Sequence, residues 1–194
     1  MKKTTCFRMS LMILLSAVLF TACSKSSGSE NNSSYYMTAT IDGKDWSANL
    51  SNNSFKSPAL AGIGSSNGVE FILVLGIRVA DKDSSAFALV FPKTVSLNQT
   101  LAFDASKYME GAYIDEVSPG STLYNGYNTT PATGGSGSFS VTTFDETNKI
   151  LEGSFSGTFG STTGAAGIKV VNGKFRCPYT TDINSVKNMS GLKF

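Results

Sequence analysis

Residues 137–159 read GSFSVTTFDETNKILEGSFSGTF, and this stretch decides the fold class. Apolar and polar residues alternate on both sides of a polar turn, which is the period of a β-strand with one buried face. A three-residue loop whose last residue, an asparagine, is left-handed sets the pairing. Phe139 then faces Phe155, and Thr143 faces Leu151. The stretch predicts an antiparallel hairpin with one apolar and one polar face.

A second hairpin is predicted within residues 37–48, MTATIDGKDWSA. The dipeptide Asp42-Gly43 favours a two-residue turn, in which both positions take a positive φ. This turn pairs Ala39 with Trp46 on the apolar face. We therefore expect Trp46 to anchor the core rather than to form a ligand platform.

The segment 168–179 is predicted to be one continuous strand. Asn172-Gly173 resembles a hairpin turn, but such a turn would place Lys169 opposite Arg176, which is an unfavourable like-charge pair. A single strand, bulged at Gly173, avoids that pair.

Two apolar runs, 71–79 and 86–91, do not alternate, and this predicts central strands that are buried on both faces. Residues 59–65 should pair with the first run through a turn at Asn67-Gly68. The chain is therefore expected to be all-β, an antiparallel β-sandwich or a partly closed barrel of about ten strands that follows a cleaved signal peptide.

Residues 1–22 have the composition of an export signal. Three basic residues precede an apolar run at 9–20, which is shorter than the roughly 20 residues of a membrane-spanning helix. The run ends LFTAC, which resembles the lipobox of bacterial lipoproteins. The resemblance implies cleavage before Cys23, lipidation of that cysteine, and attachment to the outer membrane through the lipid.

This reading divides the chain into four parts. We expect a lipoprotein signal peptide at 1–22, the lipidated cysteine and a flexible tether at 23–34, one β-domain at 35–180, and a tail or short last element at 181–194. The tether is rich in Ser, Gly and Asn and has no apolar residue after the cysteine, as is typical of a solvated linker.

Composition excludes several classes of function. The 194 residues contain no histidine, which excludes a Ser-His-Asp triad and a His-ligated metal. Without the signal, 13 basic and 14 acidic residues remain, which argues against a nucleic-acid binder. Cys177 is then the only unmodified cysteine, and it is expected to be buried and inert.

Three motifs carry a resemblance to a family: TATIDGKDW at 38–46, the hairpin at 137–159, and NGKF at 172–175. Their order and spacing resemble an uncharacterised family of all-β secreted lipoproteins of the Bacteroidota. The resemblance implies an all-β domain behind a lipid anchor. It implies no activity and no functional residue.

No catalytic set emerges from the motifs. GSSNG at 64–68 matches the G-x-S-x-G pattern, but the chain supplies no histidine base, so the motif is read as a turn. Asp81 with Asp83, and Asp115 with Glu116, are read as turn carboxylates, and no metal or cofactor is predicted.

Residues 118–138 form the most interesting surface in the sequence, because the stretch carries no charged side chain. Tyr124 and Tyr127 stand beside Asn125 and Asn128, and aromatic faces next to amides suit a glycan or a polar protein partner. The alternative is a long loop whose tyrosines pack onto the sheet.

Three functions remain open from the sequence. The first is a lipid-anchored binding or interaction module at the outer membrane, on its periplasmic or cell-surface face. The second is a structural subunit of an envelope assembly. The third is a glycan hydrolase that uses two carboxylates.

Overall fold

A computed structural model of the chain describes residues 34–49, 57–80, 84–116, 124–164 and 167–181. The predicted signal peptide, Cys23 and most of the predicted tether and tail lie outside these residues. The described chain contains eleven β-strands, two short 3₁₀ turns and no α-helix. The strands are β1 Tyr36–Ile41, β2 Lys44–Ser47, β3 Ala59–Ser66, β4 Val69–Arg78, β5 Ser85–Pro92, β6 Leu101–Ala102, β7 Glu110–Glu116, β8 Tyr124–Asn128, β9 Ser136–Asp145, β10 Ile150–Ser161 and β11 Ile168–Thr180.

The strands form one sheet that closes on itself. Its order is β2-β1-β11-β3-β4-β5-β7-β8-β10-β9-β6, and an additional pairing of β10 with β11 closes a ring of seven strands. All the pairings are antiparallel except that of β3 with β11, which is parallel and two residues long. The prediction of an all-β sandwich or partly closed barrel is confirmed.

The first hairpin forms in the predicted register. Ala39 pairs with Trp46 across the turn. Asp42 and Gly43 have φ values of 50° and 78°, as a turn of this kind requires. Trp46 is 3% exposed, so its predicted place in the core is confirmed.

The hairpin at 137–159 departs from the prediction near its turn. Phe139 pairs with Phe155 as expected, but a register shift between Glu152 and Gly153 places Thr143 opposite Glu152 rather than Leu151. The bulge turns Phe144 towards the core, where its ring centroid lies 5.0 Å from that of Tyr179. Burial of this aromatic ring explains why the simple alternation is broken.

The turn itself is one residue longer than predicted. Lys149, not Asn148, takes the left-handed conformation, with a φ of 56°. The Asp145 carboxylate accepts hydrogen bonds from the backbone nitrogens of Thr147 and Asn148, both at 2.9 Å. The bond from the Asn148 backbone is the largest cause of a lowered pKa of Asp145. This Asx-type cap stabilises the longer turn.

β11 runs through Asn172-Gly173 as one strand, as predicted, but it carries no bulge there. Gly173 is needed for a different reason. A Cβ atom at this position would lie 2.3 Å from Cζ of Phe155, so the phenyl ring occupies the space of the missing side chain.

Two hydrophobic clusters lie on opposite faces of the sheet. The inner core fills the ring and includes Phe87, whose ring lies 4.6–5.9 Å from four other aromatic rings. The second, which we call the outer cluster, lies on the other face of β3, β4, β5 and β7. Its buried members are Leu60, Leu73, Leu75, Ile77, Ala86, Ala88, Val90, Ala112 and Ile114. The central strands are therefore buried on both faces, as predicted.

Candidate functional site

A concave polar surface lies on the outer side of β1, β2, β10 and β11, and we call it the polar groove. Its volume is about 840 Å³. The described residues that line it are Thr38, Ala39, Thr40, Asp45, Trp46, Ser47, Asn49, Arg78, Ser154, Asn172, Gly173 and Lys174.

Strand alternation places the polar side chains of this groove on one face. Thr38 is paired with Lys174, which is paired in turn with Ser154 on the next strand. Thr40 is paired with Asn172 in the same way. Because their neighbours along each strand point into the core, these five side chains form two rows across three adjacent strands.

Most of these groups are free to meet a ligand. No hydrogen bond of the Thr40 or Asn172 side chain to another described residue is present, and the same holds for Asp45. Asn172 and Asp45 are exposed, and Thr40 is half-buried. Asn49 differs, because its side chain bonds both the nitrogen and the oxygen of Val79 at 2.8 Å. The groove therefore has a fixed edge and a floor that includes polar side chains without hydrogen-bonding partners among the described residues.

Charge in the groove is sparse and mixed. Asp45 supplies one carboxylate among the described lining residues, and Arg78 and Lys174 supply two cationic groups. The Lys174 ammonium lies 5.6 Å from the centroid of the Tyr36 ring, within cation–π range. Beyond it, Arg176 forms an ion pair with Glu152. Hydroxyl and amide side chains lie between these charges.

One end of the groove continues into an exposed apolar spot. Ile168 and Val170 are each 54% exposed and lie on the same face of β11 as Asn172. The Val170 nitrogen donates a hydrogen bond to the Asp42 carboxylate at 2.8 Å, which fixes this end of the strand to the first hairpin.

The predicted ligand residues Tyr127 and Asn128 lie inside the fold. Tyr127 is 2% exposed, and its ring centroid lies 5.8 Å from that of Tyr113. Asn128 is 8% exposed, and its Oδ1 accepts hydrogen bonds from the hydroxyls of Thr130 at 2.7 Å and Thr133 at 2.6 Å. Both side chains hold the turn and strand in place.

The other two predicted residues, Tyr124 and Asn125, are half-buried. Tyr124 packs against the outer cluster, whereas Asn125 pairs with Asp115 on β7. Residues 124–128 form β8 and not part of a long loop, so that expectation was wrong. The structure does not bring the four predicted residues together on one exposed surface, and a binding role for Tyr124 or Asn125 stays a prediction.

A polar cluster inside the ring accounts for the buried tyrosines. Trp46 Nε1 donates a hydrogen bond to the Ser85 hydroxyl at 2.8 Å, and Ser85 also hydrogen-bonds Tyr113. Burial, with the nearby charge of Asp115 as a second cause, raises the pKa of Tyr127 to about 12. Asp115 was read as a turn residue, but it lies in β7. These neutral phenols are arranged for stability rather than for proton transfer near pH 7.

Other features of the described chain offer little chemistry. No group of three or more His, Cys, Asp or Glu in the described ranges could hold a metal ion. No described helix is long and apolar enough to cross a membrane. Cys177 is fully buried, and burial raises the pKa of its thiol. Asp81 and Asp83 lie outside the described residues.

The polar groove was not identified from the sequence. The sequence predicted that several strands have a polar face. However, the alternation of polar and apolar residues within one strand does not say which strands become neighbours in the sheet. Fold and groove together define an all-β protein with a closed ring and a polar concave surface. No family model, curated protein or solved structure matches the chain.

Proposed function

We propose that this protein is a lipid-anchored outer-membrane lipoprotein whose β-domain binds a hydroxyl-rich ligand, a glycan, in the polar groove. One observation carries the binding role. The floor of the groove presents hydroxyl and amide groups, among them Thr40 and Asn172, without hydrogen-bonding partners in the described chain. Polar groups fixed on strands lose little freedom on binding, which favours recognition of a polar ligand.

The groove favours binding over hydrolysis. Glycoside hydrolysis by the common mechanisms uses two carboxyl groups that face each other across the scissile bond. Asp45 is the one carboxylate among the described groove residues. The other polar groups of the groove are hydroxyls, two amides and two cations, which suit hydrogen bonding to a sugar.

The anchor is supported by the sequence around Cys23. The apolar run before it and the polar segment after it match a lipoprotein signal and tether. Two or three acyl chains give stable attachment, since each buried CH₂ contributes about 0.8 kcal/mol. Cys23→Ser should abolish incorporation of a palmitate analogue, and unchanged labelling would refute the anchor.

Ligand binding is tested by thermal unfolding of the full chain against a panel of glycans. A ligand at 100 times its dissociation constant adds about 2.7 kcal/mol, which raises the midpoint by roughly 5–10 °C for a domain of this size. The double variant Thr40→Ala/Asn172→Ala should lose this shift. The matched control Thr142→Ala, exposed on β9 outside the groove, should keep it.

Flat curves with every glycan would refute glycan binding. A shift that survives in the double variant would refute the groove as its site. Either outcome leaves the anchor to be judged by the Cys23 experiment alone.

A second candidate is a structural subunit of an envelope assembly. It is favoured by the exposed apolar spot of Ile168 and Val170 at the end of the groove. Exposed β-branched residues on a strand are typical of a protein contact. Under this candidate, Ile168→Asp/Val170→Asp should abolish crosslinks in intact cells, whereas Thr142→Asp should leave them unchanged.

A further inference from the structure

The rows of polar side chains that cross the polar groove continue beyond β10 onto β9. Ser154, which lines the groove, is paired with Ser140 on β9. Two more opposed pairs of hydroxyl residues follow along the same two strands, on the face opposite the buried Phe139 and Phe155. We call these six residues the hydroxyl face: Ser136, Ser138, Ser140, Ser154, Ser156 and Thr158.

The hydroxyl face is accessible, and most of its groups have no partner in the described chain. Ser136 and Ser154 are exposed, and the other four residues are half-buried. The hydroxyls of Ser136 and Thr158 lie 3.0 Å apart and bond to each other. No hydrogen bond of the other four side chains to a described residue is present. Four hydroxyls can therefore bond to a ligand without breaking a bond within the described chain.

The composition of the hydroxyl face is not explained by the stability of the sheet. Exposed strand positions are stabilised best by β-branched and aromatic residues, and protein surfaces usually mix both signs of charge. Here five of the six residues are serine, and none carries a charge. Departures of this kind from local stability are expected at functional sites.

The size and charge of this surface define the class of ligand that fits it. From β2 through β1, β11 and β10 to β9, the groove and the hydroxyl face cross five neighbouring strands, which is roughly 19 Å at about 4.8 Å between strands. Along β9, the step from Ser136 to Ser140 adds about 14 Å. A single sugar ring covers only a small part of such a surface, whereas a chain of sugars can follow it.

Charge complementarity favours neutral sugar units on the hydroxyl face. A carboxylate or sulfate lying there would lose water without gaining an ion pair, which costs free energy. A serine hydroxyl both donates and accepts hydrogen bonds, and it therefore matches the hydroxyls of a neutral sugar.

We propose that the ligand of the polar groove is a linear, neutral polysaccharide, and that the sugar units beyond those held in the groove lie on the hydroxyl face. This inference rests on the proposed function, because it extends the glycan site to a second surface. The groove holds one part of the chain through Thr40 and Asn172, and the serines of β9 and β10 bind the units that follow.

The first test varies the length of the ligand. The full chain is titrated by calorimetry with gluco-, manno- and xylo-oligosaccharides of two and of six units. For the sugar that binds, the six-unit chain should bind at least tenfold more tightly than the two-unit chain. Equal affinities would overturn this inference and would leave the groove as a site for a short sugar.

The second test changes the hydroxyl face alone. The double variant Ser138→Lys/Ser140→Glu covers the face with long side chains at unchanged net charge. Neither residue lines the groove, so the affinity for the two-unit sugar should stay the same, while the six-unit chain should lose its tenfold advantage. The matched control Ser65→Lys places a lysine opposite Glu70 on an exposed part of β3, and it should bind both lengths as the wild type does.

The remaining outcomes separate this inference from the proposed function. A length advantage that survives in the double variant would come from equivalent positions along the groove, and it would overturn the role of the hydroxyl face. Tighter binding of oligogalacturonides, which carry a carboxylate on each unit, would overturn the neutral class. No binding of any oligosaccharide would refute the proposed function, and this inference with it. If the double variant unfolds, Ser138→Ala/Ser140→Ala removes the hydroxyls alone and makes the same test.

Discussion

The two sides of the ring bury their residues differently. On the side of β4 and β5, both faces are apolar, and six consecutive residues of β4 and seven of β5 are buried. On the side of β10 and β11, buried and accessible positions alternate over most of each strand. The first side therefore needs a second layer outside the ring, whereas the second side presents a polar face.

This difference bears on function. A face that must be covered for stability is a poor place for a ligand, because the ligand would compete with the layer that covers it. A polar face tolerates ligand, water and sequence change without loss of the core. The polar groove lies on the second side. There, the inward-facing residues of each strand stabilise the core, and the outward-facing residues that alternate with them are available to bind a ligand.

The largest expected effect contrasts the outer faces of the two sides. Leu75→Asp places a charge on a face that is 4% exposed at this position, and it should destabilise the domain by about 3–5 kcal/mol, as an uncompensated buried charge does. Ser154→Asp introduces the same charge on the exposed face of β10, and it should change stability by no more than about 0.5 kcal/mol. Urea unfolding followed by Trp46 fluorescence measures both.

Similar losses of stability in Leu75→Asp and Ser154→Asp would mean that the outer faces of the two sides do not differ in burial. A small loss in Leu75→Asp would mean that the outer cluster contributes little to folding.

A smaller loss of stability is expected from a substitution in the core-facing layer of β10 and β11. Gly173→Ala puts a methyl group 2.3 Å from Cζ of Phe155 and should cost about 1–3 kcal/mol through overpacking. Phe155→Leu in the same chain should recover part of this loss, because the clash is removed. Ser156→Ala, on the outer face of the same strand pair, is the control and should be nearly neutral. Equal unfolding midpoints for Gly173→Ala and the wild type would contradict the packing described here.

The sequence was most informative where local chemistry acts alone. The turn at Asp42-Gly43, the place of Trp46 and the two-faced burial of β4 follow from residue type and period, and they were predicted. The bulge beside Gly153 could not be predicted, because it depends on the contact of Phe144 with Tyr179, which is distant in sequence. The periodicity of a short stretch of sequence carries no information about long-range contacts of this kind.

The candidate site shows the same limit. Tyr124 and Tyr127 attracted attention because their stretch is uncharged, but strand pairing with β7 places Tyr127 in the core. The groove instead combines threonines of β1 with Asn172 of β11, residues more than 100 positions apart. Only the order of strands in the sheet brings them together.

Tyr127 lies on β8, the strand that pairs with β7 on one side and with β10 on the other. The ionisation of its phenol tests how well this part of the ring is buried. Burial raises its pKa from 10.0 to about 12, so the folded state holds the neutral phenol more tightly than the unfolded state does. The resulting stability is fully present below pH 10 and is lost as the pH rises towards 12. Tyr127→Phe should therefore show a shallower loss of stability between pH 10 and 12, measured by urea unfolding at each pH. Equal slopes in Tyr127→Phe and the wild type would refute the linkage.

The smallest effect is expected on the polar outer face itself. Glu152 and Arg176 form an ion pair there, with side chains 25% and 34% exposed, and Glu152 also accepts a hydrogen bond from Thr143 at 3.1 Å. A double-mutant cycle with Glu152→Gln and Arg176→Gln should give a coupling of about 0.2–1 kcal/mol, because water screens a pair this accessible. The coupling should fall further in 1 M salt, where the Debye length is about 3 Å. A coupling above about 2 kcal/mol would mean that the polar face helps to hold the ring together, and its residues would then not be free to serve a ligand independently of the fold.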